Sequence, residues 1–159
     1  MSLLPFSEWC YGLAMSQVYR ESLWLFALTQ ALHLVAVTTF VGAILIGDLR
    51  LLGWGPVGQS RAAIARSAQR VLLWAGLAVL ATGIPQFTTN ALTYHRSPLF
   101  VFKMCLLAAA LVFTATLRRR VAIADEGRLP LWVPRAVGAV SLALWMGVTI
   151  SGRLITFYG

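Results

Sequence analysis

The chain has 159 residues, of which 59% are hydrophobic and 11% charged. A soluble domain carries about a quarter charged residues, so too little polar surface exists here for a water-soluble globule, and lipid must cover part of it. The net charge of +8 would point to nucleic acid in a soluble protein. Here the arginines flank apolar runs and no basic stripe with interleaved aromatics is present, so topology and anionic lipid replace nucleic acid as the reading. Cys10 and Cys105 lie far apart with no CxxC spacing, which argues against a disulfide scaffold and a zinc site. The length fits a single domain, 1–159. No Lys/Arg-rich n-region follows Met1, so no cleavable signal peptide is expected.

Residues 1–21 mix Leu3, Leu4, Phe6, Trp9 and Leu13 with Ser7, Glu8, Ser16, Gln17 and Arg20. The pattern predicts a short interfacial helix capped by Ser7, or else a frayed tail. A first span is expected over about 22–47, with Phe26, Gln30, His33, Val37, Phe40 and Ile44 on one inward face. The Gly/Pro-rich stretch 53–58 is a loop, and Ser60 caps a helix whose basic turn, Arg66 and Arg70, leads into a second span at about 71–87. Gly76 and Gly83, seven apart, predict a close helix approach, and Pro85 a kink or stop. Ser97-Pro98 opens a third span, about 98–117, which ends on Arg118-Arg119-Arg120, and the fourth span covers about 131–157. Each run is near the ~20 residues that a bilayer core requires. The expected fold is all-α: an integral membrane four-helix bundle with a short N-terminal interfacial helix.

Nine Lys/Arg residues (Arg50, Arg61, Arg66, Arg70, Arg118, Arg119, Arg120, Arg128, Arg135) fall on one side of this topology and four (Arg20, Arg96, Lys103, Arg153) on the other. The positive-inside rule then predicts a multi-pass protein of the bacterial inner membrane with both termini periplasmic. Arg118–Arg120 are read as topology determinants, and Asp48 with Arg50 as a pair at the helix end.

His33 lies about eleven residues, or roughly 16 Å at 1.5 Å per residue, inside the first span. Ionisable groups at membrane depth are expensive and so are functional candidates. The same topology puts His95, Lys103 and Arg153 in the outer leaflet with it. A neutral imidazole suits haem iron, and cations suit its propionates. The candidate cofactor site is therefore His33, His95, Lys103 and Arg153, with His33 and His95 as iron ligands. Met104 or Met146 are alternatives for the second ligand, and a single ligand is another. Trp24, Phe26 and Phe40 are candidates to line the pocket. Each residue also has a plainer reading: a hydrogen-bonded buried imidazole for His33, a solvated loop residue for His95, and snorkelling cations for Lys103 and Arg153. The lack of CxxCH excludes covalent c-type haem.

The segment His33-Leu-Val-Ala-Val-Thr-Thr-Phe-Val-Gly-Ala resembles the first helix of small bacterial membrane proteins of the CopD and HemJ type. Ser97-Pro-Leu-Phe-Val-Phe-Lys103-Met-Cys-Leu-Leu resembles their lysine-bearing helix. Trp145-Met-Gly-Val-Thr-Ile-Ser-Gly-Arg153-Leu-Ile is similar to the ending of a related uncharacterised four-span family. The resemblance implies a haem b held by His33, with Lys103 close by. Its CopD side implies copper handling, against which stands the lack of Met- or His-rich clusters. The expected function is an electron-transfer or anchoring subunit rather than a free-standing enzyme. It would serve a quinone and a periplasmic redox partner or other membrane subunits. The alternatives are a cofactor-free structural subunit and a copper-handling protein.

Overall fold

Three serines start three of the long helices. Ser22, Ser60 and Ser97 have extended backbone, and their hydroxyls accept hydrogen bonds from the backbone N–H of Leu25, Ala63 and Phe100. Each cap satisfies one of the four donors orphaned at a helix N-terminus. The computed structural model describes residues 4–55, 58–94, 96–124 and 127–158. In chain order the elements are α1 (Leu4–Gly12), α2 (Ala14–Glu21), α3 (Leu23–Leu52), α4 (Arg61–Thr89), α5 (Ala91–Tyr94), α6 (Pro98–Phe113), a π-helical turn (Thr114–Arg118), α7 (Arg119–Ile123) and α8 (Trp132–Tyr158). Four continuous helical stretches, Leu23–Leu52, Arg61–Thr89, Pro98–Ile123 and Trp132–Ile155, are long and apolar enough to cross a membrane. The protein is an all-α four-helix membrane bundle.

α3 packs against α4 on one side and α8 on the other, and α6 packs against α8. The order of neighbours is thus α4, α3, α8, α6. α6 also reaches α4 near both ends of the bundle: Phe100 stacks on Phe87 at 5.5 Å, and α7 packs on α4 beside the arginine-rich loops. Leucines, valines and tryptophans cover the outward faces, which is stable only if lipid covers them. The packed interior has two clusters. Ile44, Ala110 and Trp145 form the middle, with Phe40 edge-on to Trp145 at 5.1 Å. Leu51, Val121, Ala122 and Val137 form the arginine-rich end.

Several sequence expectations need correction. The N-terminal segment is two helices, not one, and Ser7 lies buried inside α1 rather than capping it. The inward stripe of α3 is not centred on the large residues of the predicted face. It runs through the small residues Thr29, Ala36 and Ala43, seven apart, because small residues let backbones approach closely in lipid. That rotation leaves Gln30 exposed, while the Thr29 hydroxyl donates to Tyr19 Oη of α2. Trp24 is 88% exposed and faces away from the packed interior.

Pro85 stays inside α4, which runs on to Thr89. The hydroxyls of Thr88 and Thr89 both donate to the Pro85 carbonyl, and the Gln86 amide donates to the Thr82 carbonyl. Local side chains thus satisfy carbonyls around the proline turn, where water would be absent.

Candidate functional site

The two glycines of α4 receive two side chains of α3. A Cβ on Gly83 would meet His33 Cε1 at 3.1 Å, and one on Gly76 would meet Phe40 Cε2 at 3.3 Å. His33 and Phe40 are seven residues apart, as are Gly76 and Gly83. In an antiparallel pair the two spacings match, so each ring enters one notch. The glycine spacing marked a close approach. What fills the notches was not readable until the helices were paired.

His33 is half-buried, ten residues into α3, or about 15 Å from its start at 1.5 Å per residue. Its Nδ1 lies 2.8 Å from Thr82 Oγ1. The Thr82 hydroxyl donates its own hydrogen to the Ala78 carbonyl at 2.6 Å. Thr82 therefore accepts, and Nδ1–H donates. In the neutral ring this arrangement corresponds to the Nδ1–H tautomer, and the Val79 backbone is a further hydrogen-bond partner of the imidazole. Sequence reasoning passed over Thr82, and the reason is plain. Thr38, Thr39, Thr116 and Thr149 also donate to the carbonyl four residues back, so nothing local distinguishes Thr82 from them.

Lys103 is half-buried on α6 and leans on α8, where a Cβ on Gly152 would meet its Cε at 3.4 Å and its Nζ at 3.5 Å. Its ammonium is close enough to act electrostatically on the His33 ring. His33 thus packs on α4 and Lys103 on α8, and what links these two predicted site residues is an electrostatic influence rather than a contact. Arg153 is exposed, one residue beyond the glycine that Lys103 touches. His95 lies outside the described residues. Met104 and Met146 are exposed, at 45% and 55%, so neither alternative second ligand is turned into the bundle.

Beyond the His33 level, towards the 90–97 loop, Phe87, Tyr94 and Phe100 stack, with Tyr94 and Phe100 at 5.0 Å and Phe6 of α1 against Phe87 at 6.5 Å. Burial raises the Tyr94 phenol above its ordinary pKa. This aromatic column closes that end of the bundle and ties α1 to α4, α5 and α6.

A second polar constellation lies at the arginine-rich end. Asp48 is fully buried and accepts from Arg118 Nε at 2.6 Å, while Arg118 Nη2 donates to the Ile44 carbonyl at 3.0 Å. Arg118 is therefore no mere topology determinant, and Asp48 pairs with it rather than with Arg50. The π-helical turn provides the physical reason. It widens the helix over Thr114–Arg118 and so changes the direction of the residue that follows, as π-bulges do. Arg118 points inward, while Arg119 and Arg120 stay exposed. Gly47 makes the room: a Cβ there would lie 2.5 Å from Arg118 Nη2. The turn is pinned from α8, where the Trp145 indole donates to Thr114 Oγ1 at 3.0 Å. Ser141 of α8 lies beside the carboxylate, although neither its Oγ nor Asp48 Oδ2 has a hydrogen-bond partner among the described residues.

Fold and site together define a four-span helical membrane protein with an anchored intramembrane histidine at one end and a buried ion pair at the other. The chain belongs to a family of unknown function, DUF6644, whose model matches residues 6–158. No curated protein matches the chain, and neither does any solved structure.

Proposed function

We propose that this chain is a haem b-binding subunit of the bacterial inner membrane, with both termini periplasmic, that serves electron transfer near the periplasmic face. The observation that carries the reading is the state of His33. Iron ligation requires a neutral imidazole with one nitrogen free and usually has the other anchored by a hydrogen bond. Thr82 anchors Nδ1, and the Nδ1–H tautomer would offer Nε2 to the iron, so the donor chemistry fits a single axial ligand. Lys103 adds a cation within electrostatic reach of the ring, suited to a haem propionate or a quinone headgroup.

Haem, when bound, supplies the one-electron chemistry. The chain's own part is to hold Nε2 in one orientation through Thr82 and to keep the ring among apolar side chains. Lys103 balances carboxylate charge in a medium that solvates it poorly. Burial and nearby charge are the means by which such a site tunes a potential. The electron donor on this reading is a quinol, and the acceptor a periplasmic redox partner or another membrane subunit. His95 and Arg153 remain the candidate second ligand and second cation.

The test is a spectrum of the detergent-purified protein from haem-replete cells, recorded before and after dithionite. A Soret band that shifts on reduction and is lost in His33→Ala supports the reading. A colourless protein that is full-length and helical overturns it. That outcome selects the competing reading, in which the His33–Thr82 bond is only an interhelical clasp in a cofactor-free anchoring subunit. Copper handling would show instead as copper retained by the purified chain and lost in the same variant.

A further inference from the structure

Two amides on α4 continue the line that starts at the His33–Thr82 bond. The Gln86 amide nitrogen donates to the Thr82 carbonyl at 3.1 Å, and the Asn90 amide nitrogen donates to the Gln86 carbonyl at 3.2 Å. Thr82, Gln86 and Asn90 follow one another at intervals of four, the spacing that stacks side chains on one helix face. All three are half-buried, as is His33. Asn90 caps the end of α4, so the line runs from the depth of the histidine to the end of the helix, about 12 Å at 1.5 Å per residue.

The facing helix adds to it. His33 sits at Gly83 and Phe40 at Gly76, and this antiparallel register brings Thr29, one turn before His33, level with Gln86 and Phe87. Thr29 is buried, and its hydroxyl donates to Tyr19 Oη of α2 at 3.3 Å. α2 packs on both α3 and α4, and the Tyr19 bond sets it over this level of the pair. Gln86 serves the turn around Pro85, but that local duty accounts for one amide nitrogen. The side-chain oxygens of Gln86 and Asn90 accept no hydrogen bond among the described residues, and the Tyr19 hydroxyl keeps its own hydrogen to give. Hydrocarbon offers such groups nothing, so half-buried acceptors and donors at membrane depth call for water. The lipid-facing side of α4 at the same depth is apolar, with Leu80 and Ile84 exposed.

We propose that this file is a hydrated path between α2, α3 and α4, which leads from the Asn90 end of the bundle down to the His33–Thr82 bond. Asn90, Gln86, Thr82, Thr29 and Tyr19 hold its waters. Ordered waters bridge polar groups at close to the strength of direct hydrogen bonds, and each needs two to four polar partners; the file supplies them at every turn. It puts the depth of His33 in contact with the aqueous phase at that end. The inference does not rest on the haem reading.

The test uses the full-length protein in lipid nanodiscs, which leave both membrane faces open. Cys105→Ser removes the exposed cysteine, and the rate at buried Cys10 is measured in that background and subtracted. Single cysteines are then placed along α4 and labelled with a charged, water-soluble methanethiosulfonate. The thiolate is the reacting species and apolar surroundings suppress it, so Gln86→Cys and Thr82→Cys should react at least about tenfold faster than Ile84→Cys and Leu80→Cys. Thr82 lies deeper than Ile84, so depth alone would give the opposite order. Rates that follow depth, or equal rates at Thr82→Cys and Ile84→Cys, overturn the proposal. Gln86→Leu should slow the labelling of Thr82→Cys by a similar factor, while Gln86→Asn, which keeps an amide, should leave it near its original rate. Damage to the fold would speed labelling, so slowing reports a blocked path. An unchanged rate in Gln86→Leu also overturns the proposal, because water would then reach Thr82 by another way.

Discussion

A single hydroxyl decides what His33 can do. With Nδ1 hydrogen-bonded to the Thr82 hydroxyl, the imidazole is held in one orientation, whichever reading of its function holds. On the haem reading, Thr82→Val frees the ring, and loss of such a supporting bond costs about 10- to 100-fold in affinity. Thr82→Ser should retain the haem that Thr82→Val loses, measured as the Soret-to-protein absorbance ratio. A merely structural threonine would lower the yield of both variants without separating their spectra. Asp48 and Arg118 are a sharper case at this scale. Breaking a buried pair by removing one partner costs about 3–5 kcal/mol, because the other charge stays buried alone. Asp48→Asn and Arg118→Met should each lower the unfolding free energy, measured by denaturation in detergent, by that amount. The double variant should recover most of the loss, since two apolar or neutral side chains leave no stranded charge. Additive losses in the double variant would show that the two residues are not coupled.

At the scale of the element, α3 and α4 are held by complementary sevenfold spacings, rings on one helix and glycines on the other. A methyl group at Gly83 enters at 3.1 Å from His33, and one at Gly76 at 3.3 Å from Phe40. Overpacking of this kind costs about 1–3 kcal/mol. Gly83→Ala and Gly76→Ala should destabilise similarly in a thermal melt. Only Gly83→Ala should also disturb the ligand field of a bound haem, read from the absorption bands, because it alone presses on His33. Equal spectral effects would mean that the whole helix pair shifts rather than the ring. The glycine spacing and the Ser60 and Ser97 caps were legible in sequence, since each rests on local backbone geometry. The π-helical turn was not. Three consecutive arginines look alike until the turn sets one of them inward, and the contacts that favour this, Asp48, Ile44 and the Thr114–Trp145 bond, come from other helices.

For the whole molecule, the charge asymmetry predicts orientation. With nine basic residues at one end and four at the other, the proposed orientation has the arginine-rich end in the cytoplasm, as the positive-inside rule predicts. A reporter fused after Gly159 should be active only in a periplasmic format, and one inserted in the 53–58 loop only in a cytoplasmic format. The reverse pattern would invert the proposed orientation and move the His33 end to the cytoplasmic leaflet. The bundle geometry itself would be unaffected, because helix pairing depends on the notches, the ion pair and the aromatic column.

Composition and the length of the apolar runs by themselves determined that this chain forms four membrane helices. The reason is that a bilayer admits few structures and requires a helix of about 20 residues for each crossing. The sequence also marked His33, because an ionisable group in such a run is conspicuous. Only the tertiary structure decided which way the residues face. It turned Thr29 rather than Gln30 inward, gave His33 to Thr82 and Arg118 to Asp48, and laid Lys103 against Gly152 of α8. Those choices depend on close fit between helices far apart in the chain, where one missing Cβ or one extra residue per turn selects the partner.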